Sequence, residues 1–319
     1  MDTDSPLRVL VMGAGALGCV TGGFMAKAGH EMHLVGRKRN MDSVRDNGIR
    51  ITGIWGEHHA TGLRTYTSVA DVPEIEFDLV IICVKSYDTD AALGEISPYV
   101  SDETLVCSYQ NGLGNAELIA RHYGWERCVE CRVIYGARLN SPGCVEVTVM
   151  AHKTALGVYR ETPHLEKIKR IADAMDASGV PTEFLEDIVP SLWAKFAYSC
   201  SLNPLSALLN VPYANLLDTE ESKATMRGVI EELYAVGTAL DVALEPPTPA
   251  EYIEMLFGTL IPNTGTHYAS MREDLIGERR TEIDALNGAL CRYGEELGIV
   301  TPVNAELTER VRVRERGYL

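Results

Sequence analysis

The hexapeptide Gly13-Ala14-Gly15-Ala16-Leu17-Gly18 follows the short apolar run Val9–Met12 and opens an apolar helical stretch. In that setting a G-x-G-x-x-G sequence makes a tight turn and brings backbone N–H groups and a helix N-terminus to a pyrophosphate. Gly13, Gly15, Ala16, Leu17 and Gly18 are therefore the expected dinucleotide-binding residues. The next strand ends Leu34-Val35-Gly36-Arg37-Lys38-Arg39, three cations where a site for a free ribose 2′-hydroxyl carries Asp or Glu. Arg37 and its neighbours suit a 2′-phosphate, so NADPH is the expected cofactor, although a solvated basic turn reads the same way. Hydride transfer to a ketone builds negative charge on oxygen, which calls for a proton donor. Lys195, Ser199 and Asn203 recur at i, i+4 and i+8 on an otherwise apolar helical stretch, a polar stripe able to meet that need. A lone helical Lys is otherwise ordinarily solvent-facing. Pro204 is expected to break or kink this helix and free carbonyls near Asn203. The His residues do not fall at ligand spacing with Cys, Asp or Glu, so no metal is expected.

The elements that must position these residues divide the chain in two. Up to about residue 128, apolar strands (Val9–Met12, Glu31–Val35, Leu79–Val84, Leu105–Cys107) alternate with helical patterns, which implies crossover units and a parallel sheet covered on both faces. Val129–Tyr135, Cys144–Val149 and Ala155–Tyr159 read as further strands that extend this sheet in mixed orientation. A helix over Leu165–Ala177 and a strand over Pro181–Phe184 follow. Beyond Pro190 the pattern is helical: Leu192–Ser201, Ser222–Leu240, Pro249–Leu256, His267–Gly277 and Glu282–Leu297. The expected architecture is an α/β Rossmann-type dinucleotide-binding domain over residues 1–187 and an all-α domain over 188–319.

Of 319 residues, 29 are Lys or Arg and 45 Asp or Glu, a formal charge of −16. That balance argues against a nucleic-acid or anionic-membrane surface, and any anionic ligand must be held by a few local cations. With 46% apolar and 23% charged residues the chain has the composition of a globular protein. The start, Met-Asp-Thr-Asp-Ser-Pro, lacks a signal-peptide pattern and no apolar run approaches a membrane span, so a cytoplasmic protein is expected. Of eight cysteines only Cys128 and Cys131 form a C-x-x-C, and the flanking pattern is that of a strand. Apolar faces in the helical half are compatible with a homodimer and equally with a buried core.

Taken in order, Gly13–Gly18, Cys83-Val84-Lys85-Ser86-Tyr87, Gln110-Asn111-Gly112-Leu113-Gly114-Asn115, Trp193-Ala194-Lys195, Asn203-Pro204-Leu205 and Arg280-Thr281-Glu282-Ile283-Asp284-Ala285-Leu286-Asn287-Gly288 resemble the ketopantoate reductase (2-dehydropantoate 2-reductase) family across nearly the whole chain. The resemblance implies NADPH-dependent reduction of 2-dehydropantoate to pantoate. It implies that Lys195 is the general acid and that Glu282 orients it and keeps it protonated. It places Asn203, Ser270 and Asn111 on the substrate and Lys85 and Asn111 near the nicotinamide end of the cofactor. Better-matched members carry Asn one turn after the lysine; here Ser199, shorter and with a single donor, occupies that substrate-binding position. Such a change is able to shift the substrate. Two alternatives stay open: a reductase of the same family for another 2-oxo or 3-oxo acid, and a non-catalytic NADP-binding sensor. A 3-hydroxyacid dehydrogenase also carries a helical Lys, but the Arg280–Gly288 segment favours the reductase.

Overall fold

A computed structural model describes residues 5–319, so the reading of Met1–Asp4 lies outside the described residues. The chain forms two compact units: residues 5–110 with Asn115–Ile188, and Asn111–Gly114 with Val189–Leu319. The four-residue loop Asn111–Gly114 thus belongs to the second unit, while its chain neighbours on both sides belong to the first.

The first unit is built on β1 (Arg8–Met12), α1 (Ala16–Lys27), β2 (Glu31–Val35), α2 (Lys38–Asn47), β3 (Ile49–Gly53), β4 (His58–Ala60), β5 (Arg64–Tyr66) and β6 (Leu79–Ile82). It continues through α3 (Thr89–Ile96), β7 (Leu105–Ser108), α4 (Asn115–Tyr123), β8 (Cys128–Arg132), β9 (Tyr135–Ser141), β10 (Cys144–Met150), β11 (Thr154–Gly157), α5 (Leu165–Ser178) and β12 (Thr182–Leu185). The main sheet has the order β12-β11-β8-β7-β6-β1-β2-β5. Its six strands from β5 to β8 are parallel, and β11 pairs antiparallel to β8. Strands β6 and β7 are buried at every position, as a sheet with both faces covered requires. Val9, Val11 and Ile81 pack on the side of α1 and α5, whereas Leu10, Val80 and Ile82 pack on the side of α3 and α4.

The expectation that all later strands extend this sheet needs correction. Strands β9 and β10 leave it and form a second sheet, β4-β3-β10-β9, with two strands the sequence reading passed over. The run read as Val129–Tyr135 accordingly splits into β8 and the start of β9. In β10, Val145 and Val147 are buried while Glu146 and Thr148 are not, the alternation of a sheet covered on one face only. That face packs on α1. The missing side chains of Gly22 and Gly23 admit Leu34 of β2 from one side and Ile51 of β3 from the other, so α1 is clamped between two sheets. Cys128 and Cys131 belong to the cores on opposite faces of the main sheet, and all eight cysteines are free thiols.

The second unit consists of α6 (Val189–Leu209), α7 (Glu220–Ala239), α8 (Pro249–Met255), α9 (Ile261–Asn263), α10 (Ser270–Ile276), α11 (Asn287–Leu297) and α12 (Pro302–Glu315), with one π-turn over Leu256–Leu260. The long α6 is its axis, packed by α7, α10 and α12, and its side chains are buried almost without interruption from Phe196 to Ala207. Of the break or kink expected at Pro204, the break does not occur: α6 runs through it to Leu209. The expected helix over Glu282–Leu297 begins only at Asn287. Residues 283–286 form a turn in which Glu282 O accepts from Ala285 N and Leu286 N. Side-chain caps set two of the other starts: at α7 Thr219 Oγ1 accepts from Ser222 N, and at α8 Thr248 and Glu251 make a reciprocal capping box. No helix among the described residues is long and apolar enough to cross a membrane.

Candidate active site

In the first unit the chain leaves β1 outward through β2 and β5, then returns to the other flank of β1 at β6. The reversal between β1 and β6 is the topological switch point at which open α/β sheets bind ligands, beyond the carboxyl ends of the strands. The glycine loop lies there. Gly13 has φ +107, and a Cβ on it would sit 2.6 Å from Val84 N and 2.7 Å from Cys83 C, main-chain atoms just after β6. The turn is fastened by Gly13 N and Ala14 N, which both donate to Val35 O at 3.1 and 2.8 Å. Gly15, the N-cap of α1, is exposed and a Cβ there would meet nothing within 4 Å. The first turn of α1 holds no acidic side chain and Gly15 offers no side-chain cap, so the amides of Ala16, Leu17 and Gly18 lack intrahelical acceptors. An open, uncapped and uncharged helix start fits a pyrophosphate.

Arg37 is the N-cap of α2, at the end of β2, and Arg37, Lys38 and Arg39 are all exposed. Lys38 is engaged by Asp42 at 2.9 Å; Arg37 and Arg39 make no ion pair among the described residues. Lys85 follows β6 as the N-cap of a short 3-10 turn. Sequence reasoning missed Asn40. Its buried amide donates to Ala14 O at 2.8 Å and accepts from Gly143 N at 2.8 Å, tying the glycine loop to the β9–β10 turn. No spacing pattern marks it, because its partners are 26 and 103 residues away.

In the second unit Asn111, Asn203, Ser270 and Glu282 line one narrow recess, together with Met271, Asp274 and Leu286. Lys195, half-buried on α6, donates from Nζ to Asn111 Oδ1 at 2.9 Å. Five of the six residues expected to perform or support chemistry therefore converge through that bond and that recess. Ser199 lies buried on α6 between Lys195 and Asn203 and is not among the residues lining the recess.

Two further residues escaped the sequence reading, one lining the recess and one bonded to a residue that lines it. Asp274, 5% exposed, stands one turn after Ser270 on α10 and pairs with Arg279 Nε at 3.1 Å. Its i+4 spacing from Ser270 was a usable sign. Tyr213 donates its hydroxyl to Asn203 Oδ1 at 2.7 Å. Burial pushes the Tyr213 phenol well above its usual range, so it remains a donor at neutral pH. With Oδ1 taken, Asn203 has its Nδ2 hydrogens to offer a ligand.

Asn111 is held by its neighbour. Gly112 has φ +87, a Cβ there would lie 2.2 Å from Ala285 O, and Leu113 N donates to that same carbonyl at 3.0 Å. Gly112→Ala is expected to lower stability by at least about 2 kcal/mol, since it combines a left-handed backbone with a main-chain collision. A urea midpoint equal to that of the parent chain would show that the loop does not need this approach.

The profile described as "Ketopantoate reductase PanE/ApbA" matches residues 9–161, and "Ketopantoate reductase PanE/ApbA C terminal" matches 187–315. The chain is 35% identical over 309 residues to the 2-dehydropantoate 2-reductase of Aquifex aeolicus (strain VF5), covering 97% of each. A PanE/ApbA family ketopantoate reductase from Ralstonia eutropha JMP134 superposes with TM-score 0.86 at 32% identity, over 98% of this chain and 99% of that one. D-mandelate dehydrogenase, in a ternary structure with NADH and anilino(oxo)acetate, superposes with TM-score 0.88 at 26% identity, over 98% and 99% of the two chains.

Proposed function

The chain belongs to the ketopantoate reductase family of oxidoreductases, and on that premise we propose that it reduces 2-dehydropantoate to pantoate with NADPH, Lys195 acting as general acid. The observation that carries this reading is the 2.9 Å bond from Lys195 Nζ to Asn111 Oδ1, with Asn111 in a recess shared with Asn203, Ser270 and Glu282. The relative from Aquifex aeolicus bears the name of this reaction.

When bound, NADPH supplies the hydride. The backbone amides of Ala16, Leu17 and Gly18 would hold its pyrophosphate, with Gly13 and Gly15 shaping the turn that lets it approach, Arg37 would meet the 2′-phosphate, and Lys85 and Asn111 would attend the nicotinamide end. Asn203, through the Nδ2 hydrogens that Tyr213 leaves available, and the Ser270 and Ser199 hydroxyls hold the 2-oxo acid. Lys195 carries a proton on Nζ and delivers it to the oxygen on which charge develops, while its bond to Asn111 fixes where Nζ points. Glu282, buried at the recess, favours the charged form of the lysine and orients it.

The family relationship, Lys195 and the recess support reduction of a 2-oxo acid more firmly than ketopantoate itself. A second reading, the same reaction on a bulkier 2-oxo acid, is favoured by Ser199, smaller than Asn, and by the likeness to D-mandelate dehydrogenase. Initial rates of NADPH oxidation with 2-dehydropantoate, 2-oxoisovalerate and phenylglyoxylate separate them. Ketopantoate is expected to have the highest kcat/KM; if phenylglyoxylate surpasses it, the second reading replaces the first. NADPH binding without turnover of any 2-oxo acid would leave a sensor.

The cofactor preference has its own test. Arg37→Ala is expected to lower kcat/KM for NADPH by about 10- to 100-fold, the worth of a hydrogen bond to a charged group, and to leave the value for NADH unchanged. An unchanged ratio between the two cofactors would remove Arg37 from 2′-phosphate recognition.

A further inference from the structure

Pro204 lies inside α6 and has no amide hydrogen. In an α-helix that hydrogen would bond to the carbonyl four residues earlier, Cys200 O. The carbonyl has another donor: Asn287 Nδ2, from the first residue of α11, lies 3.0 Å from it. The same nitrogen gives its second hydrogen to Asn304 Oδ1 on α12 at 2.9 Å. Asn304 Nδ2 in turn donates to Glu232 Oε2 on α7 at 2.7 Å, and Glu232 also accepts from the backbone amides of Val303 and Asn304.

The polarity of this chain of bonds follows from its outer end. A carboxylate only accepts, so Asn304 must turn its NH2 toward Glu232 and its Oδ1 toward Asn287. Asn287 must then turn its own NH2 toward Asn304 and Cys200 O. Asn287 and Asn304 are both 0% exposed, so water cannot replace either partner. A proline inside a helix displaces the carbonyl one turn back and bends the axis, and what binds that carbonyl decides how far. Lys195 and Ser199 precede Pro204 on α6, and Asn203 is the residue directly before it.

We infer that Asn287 is a positioning residue of the active site: its side-chain amide replaces the hydrogen that Pro204 lacks, and so sets the relative placement of Lys195, Ser199 and Asn203 along α6. The inference rests on the proposed reduction, in that these are the groups that reaction uses.

A double-mutant cycle tests it, because Pro204→Ala restores an amide hydrogen aimed at Cys200 O. In the native background Asn287→Ala is expected to lower kcat/KM for the 2-oxo acid about 10-fold or more, mainly through kcat, with KM for NADPH unchanged. In the Pro204→Ala background the same substitution is expected to lower it no more than about threefold. Equal losses in both backgrounds, or a loss shared with KM for NADPH, overturn the inference. Urea midpoints of the four chains give the coupling without any substrate. If the midpoints couple but the parent chain reduces no 2-oxo acid, the functional reading fails and takes the positioning role with it, while the hydrogen-bond replacement stands. If the midpoints do not couple, the inference fails even in an active reductase.

Discussion

Lys195→Ala is expected to lower kcat for 2-oxo acid reduction by at least about 100-fold, close to 3 kcal/mol of transition-state stabilisation, while NADPH binds as before. The separation follows from where the groups lie. The glycine loop, Arg37 and Lys85 belong to the first unit, and Lys195 belongs to α6 of the second. If Lys195 serves as the proposed general acid, its removal depresses kcat and kcat/KM together, because its service begins when charge appears on the substrate oxygen. Its bond to Asn111 adds a secondary effect, since Asn111 loses the Lys195 donor at 2.9 Å. Asn111→Ala should therefore have a smaller effect than Lys195→Ala. Stopped-flow measurement of a single turnover, set beside fluorescence titration with NADPH, checks both expectations. Turnover at the parent rate in the alanine variant would take Lys195 out of the mechanism.

The second large effect concerns two glycines two residues apart in the same loop. Gly13→Ala forces a methyl group to within 2.6 Å of Val84 N and 2.7 Å of Cys83 C at a φ of +107. Both obstacles are main chain, so no rotamer relieves them. A loss of about 3 kcal/mol or more in unfolding free energy is expected, with NADPH binding weakened about 100-fold because the loop must move. Gly15→Ala is the contrast: its Cβ meets nothing within 4 Å and its backbone is extended. That variant should keep the parent's urea midpoint yet bind NADPH more weakly, since the new methyl would enter the space proposed for the pyrophosphate. NADPH affinity at the parent level in Gly15→Ala would mean that the phosphates do not approach this face.

How much of this was legible in the sequence depended on the range of the interactions. The glycine loop, β1 and α1 are adjacent in the chain, and the parallel order of the main sheet followed from strands alternating with helices. Strands β9 and β10 were recognisable as strands but not as a separate sheet. Their apolar-polar alternation, as in Val145-Glu146-Val147-Thr148, signals one covered face and does not suit a sheet buried on both. Pro204 was read as a break or kink because local rules say so; α6 runs through it, and the carbonyl left without an amide donor, Cys200 O, accepts from a side chain 87 residues away. The recess was legible in part. Lys195 and Asn203 were marked by the polar stripe on their helix and Asn111, Ser270 and Glu282 by the family resemblance, whereas Tyr213 acts through one hydrogen bond to Asn203 and Asn40 through two, to Ala14 O and from Gly143 N, which leave no periodic trace.

The loop Asn111–Gly114 bears on how such a chain can be recombined. The obvious junction for exchanging halves with a relative is near residue 188, where the first unit ends. A chimera joined there inherits the loop from one parent and its bed, Ala285 with Lys195, from the other. Two co-adapted pieces, a glycine pressed on a carbonyl and an amide matched to a lysine, would then descend from different ancestors. Transferring the C-terminal half intact therefore means transferring residues 111–114 with it, a second and very short segment of inheritance embedded in the other half.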